Sequence, residues 1–571
     1  MSLKTNSPHQ STYLKHILIS QALGLPLAYL LTGYFSNLYK GTFQFIVFGL
    51  FFQISCGLII SLFSIGETGK NRSYLSKNWT AFITLIVVFT FTVSTIALSL
   101  QFPGLFDSKS FFMRSTSLPL FSGLIIVSTV LTISLARLLS NKGIMGALKE
   151  SRFFIFIQKN RTGIFLSTLF FLAYFILAQS LDFPGHRTLD QYFDTDISDW
   201  ITRLTVSPSA VMPTIRAVHP AVMIFLRPLV WIISIALNGN ELQAVYFLIA
   251  LSGTSCVFLV WLLVESSTEN TTYASIIASL LGIGTSHLLL SSMLETYIFS
   301  AFALILFCFL LQSNRTSLKF TVPVGVLIFG ITVTNLVQAG ILYFFKLPSI
   351  KLIFKFVLAV ITIVLLLNII QVNIFPDAQP IYKSNNLKAE QKYEFYLFET
   401  SWRFSGRVNL ISRAILLYGI VAPDPYILMD ELGSNVPNFR TFQITIGEFH
   451  VAGYKGLADI TVKFWIFILG VSFILFVFGF IKSPRRMSFP MSLILCMGFN
   501  FALHILYGDD PMLYSPNWTY AVILFVSSSF ERWADNKWLQ VGLIIFLGMI
   551  IYTNLGLIHQ IMEVSLPFYG K

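Results

Sequence analysis

The chain has 571 residues, of which 55% are hydrophobic and 11% charged, and its formal charge is +12. Apolar runs of about 20 residues recur from end to end, and each is long enough to cross a bilayer as a helix. This pattern excludes an ordinary soluble multidomain protein and also a β-barrel, whose strands alternate apolar and polar residues over short segments. The sequence therefore predicts an all-α, polytopic membrane protein with about 13 to 15 helices, since each span must satisfy its own backbone hydrogen bonds.

The excess of basic residues is explained by cytoplasmic anchoring charge, which is usual in membrane proteins. No basic patch or recognisable module points to nucleic-acid binding. The four cysteines lie far apart in apolar segments, so we expect buried packing side chains rather than disulfides or a zinc site: Cys56, Cys256, Cys308 and Cys496.

The N-terminal part, residues 1–140, is predicted to form an accessory module of four spans. Its apolar segments lie near 16–34, 43–65, 79–101 and 116–139. A basic, partly amphipathic connection over 141–162 follows, and we expect an interfacial helix there. Three stretches rich in basic residues belong on the cytoplasmic side: residues 1–15, 66–78 and 137–161.

The loop after the fifth apolar segment is acidic. It covers 183–217 and contains FDTDISDWITRLT, with three aspartates within six residues: Asp194, Asp196 and Asp199. Alternation places this loop outside the cytoplasm, where ionisable residues at a membrane boundary usually mark function or pair with one another. Two structural alternatives remain: Asp194 caps a short helix, or Asp199 forms a surface ion pair with Arg203, four residues later.

The rest of the chain divides into a core over 163–374, an extracytoplasmic cap over 375–460 and further spans over 461–571. Charge does not decide the side of residues 218–296. The segment 218–237 is therefore either a full span or a re-entrant or interfacial segment.

One basic island extends from Arg315 to Lys319 and a second begins at Lys346, so that only a short stretch of chain separates the two islands. By the positive-inside rule both islands are cytoplasmic. We therefore expect a short helical hairpin with its tip near Thr334 and Asn335.

Polar side chains recur at the predicted outer ends of the apolar segments. If the predicted topology holds, they lie at one depth on one side of the membrane: Arg216, His219, Glu295, Tyr297, Asn335, Asp510 and Tyr514. Two of these positions have plain alternatives. His219, which precedes Pro220, suits an ordinary interfacial residue, and Asp509 with Asp510 after Gly508 suits a solvated turn.

A carboxylate at the outer face of a membrane core suits glycosyl transfer from a lipid-linked donor. The carboxylate takes the proton from an acceptor hydroxyl as general base. Arginine, lysine or a metal ion then steadies the leaving phosphate. The Asp-Thr-Asp run also offers oxygen ligands for a divalent cation, which we keep only as an option.

The loop DTDISDWITRLT and the following RAVHPAVMIFLRPLVWII, with ETYIFSAF and LHILYGDDPMLYSPNW further on, resemble the GT-C superfamily of membrane glycosyltransferases. This superfamily includes the dolichyl-phosphate-mannose protein mannosyltransferases. The resemblance covers residues 163–530 and implies a GT-C-like core. It also implies inverting transfer of a sugar from a polyprenyl-phosphate donor to a lipid or glycan acceptor outside the cytoplasm. We expect a bacterial plasma membrane, since eukaryotic sorting signals are absent.

Carried over residue by residue, the resemblance matches Asp196 best to the loop acid and Asp194 second. Members often have an Asp-Glu pair where this chain has Asp-Thr-Asp, which leaves the base open between these two, and Asp199 substitutes for a further acid. Phosphate would be bound by an outer cation: Arg216, Arg403 or Arg407. The pocket would be lined by other outer groups, among them His219, Glu295, Tyr297, Asn335, Asp510 and Tyr514.

Two other functions fit part of the pattern. A secondary transporter suits the many spans and the short hairpin, although transporters place charged sites near the midplane, often within internal repeats. A polysaccharide polymerase or ligase suits a large outer loop such as 375–460. Such an enzyme would depend on outer arginines more than on Asp196.

Overall fold

The computed structural model describes residues 8–64, 79–141, 147, 150–181, 191–208, 210–429 and 437–568. Within these ranges nine helices are long and apolar enough to cross a membrane, and five more are apolar but shorter. The prediction of an all-α, polytopic protein is thus confirmed, and the chain is an integral membrane protein.

The helices are numbered in chain order. They are α1 Pro8–Tyr39, α2 Thr42–Ser64, α3 Trp79–Gln101, α4 Leu118–Asn141, α5 Arg152–Lys159, α6 Arg161–Leu181, α7 Ile197–Thr205, α8 Val222–Ala236, α9 Glu241–Thr268, α10 Thr271–Ile283 and α11 Thr285–Leu290. They continue with α12 Tyr297–Gln312, α13 Leu318–Ile331, α14 Asn335–Lys346, α15 Ile350–Ile374, α16 Ser384–Lys388, α17 Ser401–Arg413, α18 Leu457–Lys482, α19 Ser488–His504, α20 Pro511–Tyr514, α21 Pro516–Phe530 and α22 Lys537–Ser565.

Contacts divide the chain into two compact units. The first comprises residues 1–79, 107–164 and 236–239, and the second comprises 80–106, 165–235 and 240–571. This division differs from the predicted boundary at residue 140, because α3 packs with the second unit. Its polar side chains explain why: Thr92 Oγ1 donates to the Leu169 carbonyl at 3.3 Å, and Ser180 donates to Ser99 at 2.9 Å.

The first unit is built around α1, α2 and α4. Its apolar core is a cluster of four buried side chains: Phe45, Met113, Phe121 and Leu124. Polar side chains also join the helices, since Gln21 donates to Thr132 at 2.5 Å and Ser128 donates to Gln53 at 2.6 Å. Such interhelical hydrogen bonds commonly hold membrane spans together, because lipid tails are as apolar as the helix surfaces and the hydrophobic effect does not drive the helices to associate.

The predicted interfacial connection over 141–162 falls only partly on the described residues. There α5 is a short helix, and Ser151 caps it by accepting a hydrogen bond from the Phe154 N–H at 3.2 Å. Phe153 and Ile155 are exposed. Residues 142–146 and 148–149 of this connection, and residues 183–190 and 209 of the acidic loop, lie outside the described part.

The core of the second unit is formed by α9, α10, α12 and α21, whose side chains are largely buried. Asparagine caps explain where two of these helices begin. Asn240 accepts from the Gln243 N–H at 3.0 Å, and Asn270 accepts from the Tyr273 N–H at 2.8 Å. Each cap satisfies a backbone donor that the first turn leaves free.

The predicted helical hairpin is confirmed: α13 and α14 flank a tip of three residues, 332–334. The tip is bonded to the loop 216–221. The Val333 N–H donates to the Val218 carbonyl at 3.1 Å, and the Ala221 N–H donates to the Gly330 carbonyl at 2.9 Å. The hairpin thus supports the segment that carries Arg216 and His219.

The segment 375–460 contains helices α16 and α17, a π-helical turn Ala414–Tyr418 and four short strands. The strands are β1 Tyr426–Met429, β2 Pro437–Arg440, β3 Phe442–Thr445 and β4 Glu448–Val451. They form two antiparallel pairs, with Tyr426 opposite Arg440 and Phe442 opposite Val451.

A carboxylate-lined cavity as the candidate functional site

A cavity of about 460 Å³ in the second unit gathers most of the polar groups that the sequence singles out. Eight predicted site residues line it: Asp194, Asp196, Asp199, Arg216, His219, Glu295, Tyr297 and Tyr514. They come from the acidic loop, the loop before α8, the turn between α11 and α12, the first residue of α12, and α20.

The acidic loop is held by strand β2. The Phe193 N–H donates to the Phe439 carbonyl at 2.8 Å, and the Phe439 N–H donates to the Gln191 carbonyl at 2.7 Å. Phe193 and Asp194 have φ values of 55° and 68°, in a region that non-glycine residues seldom occupy. Strain of this kind persists where the surrounding structure over-determines the conformation, and it clusters at functional sites.

Asp194 forms an ion pair with Arg440 of β2, with Oδ1 and Nη1 3.1 Å apart. The alternative in which Asp194 caps a helix is therefore wrong. The N-cap residue of α7 is Asp196, and its side chain makes no capping hydrogen bond.

Asp196 and Glu295 meet across 99 residues of chain. The Asp196 N–H donates to Glu295 Oε1 at 2.6 Å, and the Thr296 N–H donates to Glu295 Oε2 at 3.1 Å. Glu295 is 2% exposed. Burial and the negative charge of Asp196 raise the pKa of Glu295, although the two backbone hydrogen bonds act in the opposite direction. The Glu295 carboxyl group therefore holds a proton more readily than a solvent-exposed carboxyl group does.

Asp199 and Arg203 form the predicted i, i+4 pair at 3.2 Å, but this is not a surface ion pair. The Arg203 side chain is 6% exposed and donates to the carbonyls of Pro213 and Thr214, and its guanidinium lies 4.5 Å from the centre of the Trp200 ring. Arg203 thus connects α7 to the segment that leads to Arg216.

Arg216 forms a three-way cluster with Glu390 and Tyr507. Its Nε donates to Glu390 Oε1 at 3.1 Å, its Nη2 donates to both Glu390 and the Tyr507 hydroxyl, and Tyr507 donates to Glu390 at 2.9 Å. Burial alone would lower the pKa of Arg216, but the hydrogen bonds with Glu390 raise it above its ordinary value. The guanidinium is 4.0 Å from the centre of the Tyr393 ring, so the cation is fixed on one side by an aromatic face.

His219 is a buried, neutral imidazole. Burial and the positive charge of Arg216 lower the pKa of His219 to about 4. Its Nδ1 lies 2.6 Å from the Ile331 carbonyl, which requires the hydrogen on Nδ1 and leaves Nε2 as an acceptor. The alternative of an ordinary interfacial residue does not describe this position, because the ring is buried and lines the cavity.

Tyr297 and Tyr514 pack edge to face, with ring centres 5.0 Å apart. Gly508 has a φ of 87°, and a Cβ atom there would lie 2.6 Å from the Tyr514 ring. This close approach explains why glycine precedes the two aspartates of the turn.

Four predicted site residues do not line the cavity: Asn335, Arg403, Arg407 and Asp510. Asn335 is buried in an amide network, where it donates to Asn517 at 2.9 Å and accepts from Gln338 at 2.8 Å. Asp510 is buried beneath the turn and accepts from the Thr441 N–H, the Thr441 hydroxyl and the Met512 N–H. The expectation of a solvated turn holds for exposed Asp509 but is wrong for Asp510.

The two arginines of α17 have different environments. Arg407 is buried and donates to the carbonyls of the turn that follows α19: His504, Tyr507, Gly508 and Asp509. Arg403, one turn earlier, pairs with Glu399 in a half-exposed position. Neither side chain lines the cavity, so the structure does not support the expectation that Arg403 or Arg407 binds the phosphate there.

Sequence reasoning missed several residues of the cavity, notably Trp200, Gln379, Glu390, Lys392 and Tyr393. Trp200 could have been identified from the sequence, because it follows Asp196 by about one helical turn and therefore lies on the same face of α7. The others lie in the segment 375–460, whose sequence has no pattern that aims a side chain at the acidic loop.

No group of three or more His, Cys, Asp or Glu side chains within the described ranges is arranged to hold a metal ion. The divalent cation therefore stays a sequence-based option. Comparison of the chain with models of known families, with curated proteins and with solved structures finds no match.

Proposed function

We propose that the protein is a membrane glycosyltransferase that moves a sugar from a polyprenyl-phosphate donor to a lipid or glycan acceptor, with Asp196 as general base. The observation that carries this proposal is the composition of one cavity. It brings the acids Asp196 and Glu295 together with the cations Arg203, Arg216 and Lys392.

The reaction requires both kinds of group. As the acceptor oxygen forms its bond to the anomeric carbon, its proton passes to the Asp196 carboxylate. The bond between the anomeric carbon and the phosphate oxygen breaks, and the phosphate leaves with the electron pair. In this proposal Arg216, which Glu390 and Tyr507 hold at the cavity, stabilises this charge, and Lys392 supplies a second cation.

The choice of Asp196 over Asp194 rests on their partners. Asp194 forms an ion pair with the Arg440 guanidinium at 3.1 Å and is therefore already engaged with a cation. Asp196 instead lies beside the buried carboxyl group of Glu295, which accepts a hydrogen bond from the Asp196 N–H at 2.6 Å. We also propose that the donor is a polyprenyl-phosphate sugar, that the acceptor is a lipid or glycan, and that the active site lies outside the cytoplasm.

Asp196→Asn tests the base directly, since asparagine keeps the shape of the side chain but cannot take a proton. We expect transfer to fall by about 10²- to 10⁴-fold, the usual share of a general base. The measurement is release of polyprenyl phosphate from hexose- and pentose-linked donors by the purified protein in liposomes. Asp424→Asn is the matched control, because Asp424 pairs with Lys455 and does not line the cavity.

Unchanged turnover in folded Asp196→Asn would remove Asp196 from the role of base. The same assay addresses the polymerase or ligase alternative, which depends on outer arginines. Under our proposal Arg403→Gln leaves turnover unchanged, because Arg403 is paired with Glu399 and does not line the cavity.

A further inference from the structure

A second, apolar cavity of about 720 Å³ lies between α18, α19, α21 and the π-helical turn Ala414–Tyr418. Its lining is hydrophobic apart from Ser412 and Arg413, and it shares no lining residue with the carboxylate cavity. Side chains such as Leu416, Ile466 and Phe473 are exposed along it. We call this cavity the apolar groove.

Two glycines show that the apolar groove is open space and not a packing defect closed by neighbours. Gly470 of α18 and Gly498 of α19 both line it, and both are exposed. A Cβ atom built on either glycine would meet no other atom within 4 Å. Because α18 is long and apolar enough to cross a membrane, the groove runs along a candidate membrane span.

Arg413 lies at one end of the groove. Its Nη1 donates to the Ala452 carbonyl at 3.1 Å, and Ala452 precedes the start of α18 by five residues. Further along, Trp465 Nε1 donates to the Leu416 carbonyl at 2.7 Å, and the lining then continues through Gly470. The groove therefore has a cation where α18 begins and is apolar toward the middle of that helix.

The charge of Arg413 is not neutralised by a carboxylate within the described residues. The hydrogen bonds of its guanidinium go to neutral acceptors, namely the Asn409 amide oxygen at 3.0 Å and the Ala452 carbonyl. A cation at the mouth of a hydrocarbon-lined groove is complementary to a molecule with an anionic head and an apolar chain.

We propose that the apolar groove binds one anionic phospholipid of the surrounding bilayer, with an acyl chain along Gly470 and Gly498 and the phosphate at Arg413. A lipid-linked sugar fits less well, because the lining offers almost no polar group to receive a sugar. The proposal does not depend on glycosyl transfer at the carboxylate cavity.

Binding at this position is expected to stabilise the folded protein. The π-helical turn continues from α17, whose Arg407 holds the turn after α19, and Phe501 of α19 lines the groove. A lipid that fills the groove bridges α18 and α19 and so favours the folded state over the unfolded one.

The test is thermal unfolding of the purified full chain in detergent, with dioleoyl phosphatidylglycerol or dioleoyl phosphatidylcholine added. We expect phosphatidylglycerol to raise Tm by at least about 2 °C, and phosphatidylcholine to raise it less. Gly470→Leu and Gly498→Leu add side chains inside the groove, at positions where a Cβ atom meets no other atom within 4 Å, and should abolish the rise. Gly548→Leu is the matched control, since Gly548 is also an exposed helical glycine with no atom near its Cβ position and lies outside the groove.

Arg413→Gln should reduce the rise with phosphatidylglycerol to the level seen with phosphatidylcholine. It keeps the proposal testable if a leucine variant does not fold. An undiminished rise in the folded leucine variants would overturn the site, and equal effects of both lipids on wild type and Arg413→Gln would overturn the anionic head. Displacement of phosphatidylglycerol by a lower concentration of polyprenyl phosphate, followed by native mass spectrometry, would overturn the choice of lipid.

Discussion

The buried carboxyl group of Glu295 accepts a backbone hydrogen bond on each of its oxygens and thereby ties the start of α7 to the turn before α12. This makes Glu295 a positioning residue for Asp196 as well as a neighbour in charge. Glu295 stabilises the fold because each of its two carboxyl oxygens accepts a backbone hydrogen bond. It affects the chemistry of the cavity through the raised pKa of its carboxyl group.

Glu295→Gln is expected to destabilise the protein by about 1–3 kcal/mol, because the amide NH2 cannot accept and one buried N–H loses its partner. The measurement is the midpoint of thermal or denaturant unfolding. Glu269→Gln serves as control, since Glu269 is exposed. Equal stability of the two variants would contradict the double-acceptor role.

The raised pKa of Glu295 also predicts a pH dependence of stability. Above the ordinary pKa of a carboxyl group the unfolded chain has lost this proton while the folded protein still holds it. Stability should therefore fall as pH rises toward the folded-state pKa and become constant above it. Glu295→Gln should lack this slope in a pH series of unfolding curves, and an unchanged slope would assign it to another group.

At the level of elements, the turn after α19 depends on a residue of α17. Arg407 donates to the carbonyl of His504, the last residue of α19, which the helix end leaves without a helical partner. It also donates to three carbonyls of the turn that follows: Tyr507, Gly508 and Asp509. Asp509 of this turn and Tyr514, which follows it, line the carboxylate cavity.

Arg407→Met should cost on the order of 3 kcal/mol, since several carbonyls lose a charged donor at once. Arg403→Gln, on the same helix, should change stability by less than about 1 kcal/mol, as expected for a half-exposed ion pair. Unfolding midpoints of the two variants provide the comparison. If Arg407→Met kept its stability but lost transfer, Arg407 would instead be a substrate-binding residue.

At the level of the whole molecule, the membrane topology depends on the path of the chain around α8. This helix has 15 residues, fewer than the roughly 20 that a span needs. The residues after it bond to the end of α1, because the Tyr39 hydroxyl donates to the Ala236 carbonyl at 3.1 Å and Asn238 donates to the Leu38 carbonyl at 2.9 Å. If α1 ends outside, as the charge pattern predicts, α8 begins and ends on the outer side, which favours the interfacial alternative.

Three serine-to-cysteine variants test this topology with a membrane-impermeant maleimide. Ser384 should be labelled in intact cells, whereas Ser267 and Ser313 should react only after permeabilisation. All three serines are exposed, and the native cysteines are buried, so the background is low. Labelling of Ser267→Cys in intact cells would show that α8 crosses the membrane.

Local sequence is sufficient to predict the class of the protein, the helical hairpin around Thr334 and the acidic loop at 193–205. Hydropathy and charge are properties of neighbouring residues, and the bilayer converts a local apolar run into a helix regardless of what packs beside it. The acidic loop is identified from local sequence as well, because a cluster of carboxylates is unusual in a chain with 11% charged residues.

Which polar groups contact one another depends on the three-dimensional path of the chain. Arg216 binds Glu390 and Tyr507, which are 174 and 291 residues away, and Asp194 binds Arg440 across 246 residues. No local pattern encodes such pairings, because they depend on how the segment 375–460 returns to the loop. For the same reason two arginines four residues apart on α17 have opposite environments: Arg403 is half exposed, while Arg407 is buried among carbonyl groups.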